Sequence, residues 1–178
     1  TTEIYTLSLH DALPISAQAE EVLADLADLF RHALADQHGA SSVAQEIELA
    51  RRYLAIEQVR FGERLRVEWA LDPRVGAAQL PPLILQPLVE NAVIHGVEPS
   101  AQGARLRIST QQRGAMALIK ITNTVPAGQG EAGHGIALVN VRDRLRLLHD
   151  LQGSFRTALV DDVYQARIEI PMPRGDAG

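Results

Sequence analysis

"QPLVENAVIHG", residues 86–96, decides how the rest of the chain is read. With Leu85 before it, Leu88, Val89, Ala92 and Val93 form one arc of a helix, and that arc belongs in a core. On a regular helix Asn91 and His95 lie within about 40° of each other and outside that arc, so they face a cleft. Glu90 sits roughly 100° round from Asn91, at the cleft's edge, where a carboxylate can accept a proton from an incoming nucleophile. An asparagine carbonyl oxygen is a hard neutral ligand. It can complete an octahedral Mg²⁺ held mainly by phosphate oxygens and water without adding negative charge. The plain alternative is that Asn91 and His95 are hydrogen-bonded cleft residues with no ligand.

Upstream, Pro81 and Pro82 suit the first turn of the same helix, whereas Pro87 lacks an amide hydrogen and is expected to kink or restart it. Alternation in "RLRVEWAL" (64–71) predicts a half-buried strand. "ARLRIST" and "MALIKITNT" read as a hairpin turning at Arg113 and Gly114, and "GSFRTALV" and "VYQARIEIP" as a second antiparallel pair. Between the pairs, "PAGQGEAGH" is glycine-rich. Gly128, Gly130, Gly133 and Gly135 allow close backbone approach, and the helix opening near Gly135 aims unpaired amides at an anion.

Before the first strand, Ser41 and Ser42 can cap a helix running to Phe61, with Gln45 and Glu46 as capping-box partners. Its two stripes, Val43, Ile47, Ala50 and Leu54 and then Leu49, Tyr53 and Ile56, predict packing on two surfaces. A further amphipathic helix is expected over 17–36, with Val22, Leu26, Leu29, Phe30, Ala33 and Leu34 on its apolar side. The fold class is α+β, with helices on one face of a mixed, largely antiparallel sheet.

The 178 residues, 46% hydrophobic, suffice for one compact domain with a helical addition. The absence of cysteine removes disulfides, thiolate metal sites and cysteine nucleophiles, and the expected location is the cytoplasm. A net charge of −5, with basic residues dispersed among acids along the chain, gives no footprint for nucleic acid. The longest apolar stretch, 80–97, is interrupted by prolines, Gln86, Glu90 and Asn91 and does not read as a membrane span.

Four segments, "LADLFRHAL", "YLAIEQVRF", "LPPLILQPLVENAVIHG" and "GHGIALVNVRDRL", resemble in order and spacing the LytS/AlgZ-type sensor histidine kinases, whose catalytic domain has the GHKL (Bergerat) ATP-binding fold. The likeness covers essentially Ala17 to Pro173. It implies ATP and Mg²⁺ as ligands, Asn91 on the metal, Glu90 as candidate base and His95 by the phosphates. It also implies that Gly133, Gly135 and Asn140 belong to the glycine box closing an ATP lid. "ITNTVPAG" puts Asn123 where many of these kinases use an Asp against adenine, and an amide oxygen can still accept from the adenine amino group without charge assistance. Val163 and Tyr164 replace the usual Gly-Thr of the adenine pocket.

By the same likeness the intact protein is expected to be a homodimer whose partner is a LytTR-type response regulator. It would be tied to the inner membrane only through upstream segments and would not bind nucleic acid directly. Residues 1–16 resemble translated sequencing-adapter read-through, so the native sequence is expected to begin near Ala17 and to lack the family's phosphoacceptor histidine motif. The expected layout is a non-native lead-in at 1–16, a helical remnant of the dimerisation region at 17–62, the catalytic domain at 63–174 and a tail at 175–178. Other GHKL ATPases or serine kinases, and a pseudokinase or dimerisation module without nucleotide, are the rival assignments.

Overall fold

The computed structural model describes residues 39–126 and 136–173. The expected 17–36 helix, the glycine-rich loop with Gly133 and Gly135, and His10, His32, His38 and His134 lie outside the described residues.

A two-residue strand, β1 (Ser41–Ser42), leads into helix α1 (Val43–Phe61). The helix starts there because Ser42 Oγ accepts from the Gln45 amide at 3.2 Å while Gln45 Oε1 accepts from the Ser42 amide at 2.8 Å, a reciprocal capping box. The expected box is therefore present with Gln45 as its partner, which leaves Glu46 for another role. Val43, Ile47, Ala50 and Leu54 are buried in the common core, and the second stripe of Leu49, Tyr53 and Ile56 is half-buried.

Strand β2 (Leu65–Ala70) follows a short 3-10 turn, and β3 (Gln79–Leu80) pairs antiparallel with β1. Helix α2 (Gln86–Ala92) carries the decisive motif. Pro87 lies in its first turn, where the missing amide costs nothing, so the helix starts at this proline. Pro81 and Pro82 stand outside the helix, in a turn where Leu83 takes φ 56°. This corrects the expectation that they form its first turn.

After β4 (Ala104–Arg113) and β5 (Met116–Thr124) come α3 (Ile136–His149), β6 (Ser154–Val160) and β7 (Val163–Pro171). Arg113 pairs with Met116, so the first hairpin turns at Gly114–Ala115, one residue later than the sequence suggested. The second turns at Asp161–Asp162, both with positive φ, the two-residue geometry that matches strand twist.

The sheet order is β2-β4-β5-β7-β6, with β2 parallel to β4 and every other pair antiparallel, which is the expected mixed, largely antiparallel layer. One face carries Leu106, Ile108, Ile119, Ile121, Phe155, Tyr164, Ala166, Ile168 and Ile170 into a single core. All three α-helices among the described residues contribute to that core: α1 as above, α2 through Leu88, Val89 and Ala92, and α3 through Leu138, Val141 and Leu145. No described helix is long and apolar enough to cross a membrane.

Candidate nucleotide site

The helix carrying Glu90, Asn91 and His95 is held from both ends by the chain around α1. At its start the buried carboxylate of Glu46, 1% exposed, accepts the amide of Leu83 at 2.8 Å and that of Leu85 at 3.2 Å. These bonds fix the left-handed turn at Leu83, an unfavourable conformation for a side-chain-bearing residue, and set the direction in which α2 leaves it. Burial raises the Glu46 carboxyl above its ordinary value, and the hydrogen bonds from Leu85, Leu83, Ser41 and Ile84 oppose that shift.

At the other end α2 widens into a π-turn, Val93–Val97, closed by the Glu98 amide on the Val93 carbonyl at 3.0 Å. Arg64 caps this end, donating to the carbonyls of Val97 at 2.9 Å and Ser100 at 2.7 Å. Arg60 adds an ion pair to Glu98 at 3.1 Å and lies over the Phe61 ring at 4.6 Å. Arg60, Phe61 and Arg64 thus serve to lock the site helix. On the α3 side, Arg144 donates to the Pro82 carbonyl and His149 Nε2 lies 2.8 Å from the Gln79 carbonyl, where it must be the donor. His149 is therefore a bonded strut between the end of α3 and β3.

Gly96 explains why a π-turn is useful. A Cβ there would come within 2.7 Å of Asn123 Nδ2 and 2.8 Å of the Thr124 carbonyl, so only glycine lets the end of the site helix lie against β5. The extra residue in the turn makes that approach, and such insertions often mark functional helices.

The predicted residues are then placed as follows. Asn91 and His95 are half-buried on the helix and its π-turn, and Glu90 is half-buried one position earlier, accepting from Gln86 Nε2 at 2.8 Å. Glu90 faces α1: Tyr53 of that helix has its phenol raised by burial, then by the charges of Glu57 and Glu90. Asn123 is 2% exposed on the core face of β5. Its amide nitrogen donates to the Thr124 carbonyl at 3.2 Å, while its Oδ1 is buried with no hydrogen-bond partner among the described residues. Tyr164 stands directly opposite Asn123 on β7, buried, its phenol raised by burial with Thr157 opposing.

Asn140 is exposed on α3, which contacts α2, and Gly133 and Gly135 fall outside the described residues. The structure thus brings the α2 motif together with Asn123 through Gly96. Asn140 remains exposed on α3.

Among the described residues no three His, Cys, Asp or Glu side chains gather as a metal cluster. An orphaned acceptor is costly inside a protein, and a ligand that donates a hydrogen bond relieves it. Sequence reasoning missed Glu46, Arg64, Gln86 and Gly96 as site-builders. Only Gly96, ending "VIHG" against a strand, left a trace that could have been followed.

The histidine kinase family model matches residues 3–65, beginning inside the 1–16 segment set apart above. The sensor histidine kinase BtsS of Escherichia coli (strain K12) is 33% identical over 164 residues, covering 90% of this chain and 29% of that protein. The sensor protein LytS of Enterococcus faecalis is 27% identical over 181 residues, covering 88% of this chain and 29% of that protein. The nucleotide-free catalytic domain of histidine kinase ThkA superposes with a TM-score of 0.56 at 14% identity, over 75% of this chain and 97% of that domain. The fold is that of a histidine kinase GHKL catalytic domain. More narrowly, the chain is similar to LytS-type sensor histidine kinases and spans less than a third of the length of these two relatives.

Proposed function

We propose that this chain is the ATP-binding catalytic portion of a two-component protein-histidine kinase, with the nucleotide between the α2 motif and β5. The observation that carries this reading is the Oδ1 of Asn123, buried beside Gly96 with no partner among the described residues. An adenine amino group supplies the donor this oxygen lacks, and the Asn123 amide nitrogen can face a ring nitrogen, a pairing that an aspartate could not make from both sides.

With the base at Asn123, the triphosphate runs toward the side of α2 that bears Asn91 and His95. Asn91 would hold Mg²⁺, and His95 would stand by the phosphates. Gly133, Gly135 and Asn140 would belong to the segment that closes over them. When bound, Mg²⁺ supplies charge neutralisation along the phosphates. Glu90, kept in place by Gln86, would accept the proton from the attacking imidazole of the phosphoacceptor. The remaining contribution of the protein is positioning, which is why both ends of α2 are fastened.

The γ-phosphoryl would pass to a histidine on a dimerisation helix and then to a response regulator. ThkA has been solved in complex with the response regulator TrrA, which supports such a partner. A LytTR-type regulator, a homodimeric parent and membrane attachment through upstream segments follow from the same kinship. In this layout 17–62 is the dimerisation-side helical part, 63–174 the catalytic domain and 1–16 a non-native lead-in. α1 nonetheless shares the core of the catalytic domain.

The test is titration of a fluorescent ATP analogue with and without Mg²⁺ against wild type and Asn91→Ala. Magnesium-dependent binding that the substitution weakens by roughly tenfold or more supports the assignment. Identical curves for the two proteins favour the pseudokinase alternative. Incubation with radiolabelled ATP should leave no stable label on a histidine of this chain; label there would contradict the lead-in assignment.

A further inference from the structure

The sheet face turned away from the helices holds a concentration of positive charge that the linear sequence hides. Strand alternation sends every second residue of "RLRVE", "ARLRIS", "IKI" and "QARIEI" to this side. Among the described residues, Arg66, Arg105, Arg107, Lys120, Arg156 and Arg167 share it with two strand carboxylates, Glu68 and Glu169, in a chain of net charge −5.

The register makes the arrangement costly. Arg156 pairs with Arg167, and Arg167 with Lys120, so three cations stand side by side on β6, β7 and β5; Arg66 likewise pairs with Arg105. Like charges directly opposite on a sheet repel. Among the described residues the ion pairs on this face are Arg107–Glu68 at 3.1 Å and Arg167–Glu169. Arg167 Nε is buried there without a partner.

We propose that this open face docks an acidic polypeptide surface, whose carboxylates bridge the Arg156–Arg167–Lys120 row and the Arg66–Arg105 pair. Two features favour a protein over the other polyanions. The strand aromatics Trp69, Phe155 and Tyr164 all belong to the opposite, core side, so this face offers no aromatic platform for nucleic-acid bases. Glu68 and Glu169 lie among the cations, and a uniformly anionic bilayer would repel them, whereas a polypeptide of mixed charge can complement them.

The experiment measures binding of a fluorescein-labelled glutamate-rich peptide with interspersed lysines to the 178-residue chain at increasing salt, for wild type, Lys120→Gln/Arg156→Gln and the control Arg52→Gln on α1. Parallel arms use phosphatidylglycerol vesicles and a single-stranded oligonucleotide. Expected are salt-sensitive peptide binding weakened by roughly tenfold in the double variant alone, and an unchanged or raised Tm for that variant because repulsion has been removed. The proposal is overturned if the double variant binds the peptide as wild type does, if its Tm falls, or if vesicles or oligonucleotide bind more tightly than the peptide.

Discussion

Replacing Glu46 with alanine removes the one side chain that receives both the Leu83 and the Leu85 amide. Each buried donor left without a partner costs about 1–3 kcal/mol. The groove lined by Ser41, Gln45, Leu49, Pro82 and Leu83 lets water reach the outer of the two, which holds the total near the lower half of the range, about 2–4 kcal/mol. At about 2–4 °C per kcal/mol for a domain of this size, Tm should fall by roughly 4–16 °C.

Glu46→Gln keeps one accepting oxygen and should cost less. It also removes a titration. Because burial raises the folded carboxyl above 4.5, the folded chain retains a proton that the unfolded chain has already released. Wild-type stability relative to Glu46→Gln should therefore be greatest below pH 4.5, decline as pH rises through the raised folded value, and then level off. Thermal melts by circular dichroism across that range measure both effects. An alanine variant within about 1 kcal/mol of wild type would refute the claim that Glu46 holds the start of α2.

Three further outcomes follow from the same geometry. Gly96→Ala drives a methyl group against Asn123 and the Thr124 carbonyl and should cost about 1–3 kcal/mol in urea denaturation, with weaker ATP-analogue binding. Arg64→Ala strips the Val97 and Ser100 carbonyls of their donor and should lower stability by about 1–3 kcal/mol in the same assay, while amide exchange over 93–98 speeds up ahead of the rest of the domain. Asn123→Leu removes the orphaned oxygen, so it should leave Tm near wild type yet abolish discrimination between ATP and GTP analogues in competition titrations.

What could be seen in the sequence was whatever depends on neighbours along the chain. Ser42 and Gln45 are three residues apart, so the capping box was visible; local patterning and turn signals revealed all five strands of the larger sheet, and Pro87 marked the restart of the helix. What depends on chain segments meeting in space was not visible. Glu46 looked like a second capping residue because nothing in its surroundings along the chain names Leu83 or Leu85 as partners. Arg64 is separated by 36 residues from the Ser100 carbonyl it caps.

The π-turn arises from Gly96 meeting β5, so a regular-helix projection of 86–96 could not contain it. The basic sheet face was missed for the same reason. Arg156, Arg167 and Lys120 are scattered in sequence and become neighbours only through the register of β6, β7 and β5.

The account stands most directly on where a nucleotide sits. A crystal structure of the chain with a non-hydrolysable ATP analogue and Mg²⁺ is predicted to show the adenine amino group hydrogen-bonded to Asn123 Oδ1 and the metal coordinated by the Asn91 amide oxygen. An analogue bound elsewhere, or Asn123 still packed without a ligand at saturating nucleotide, would contradict it.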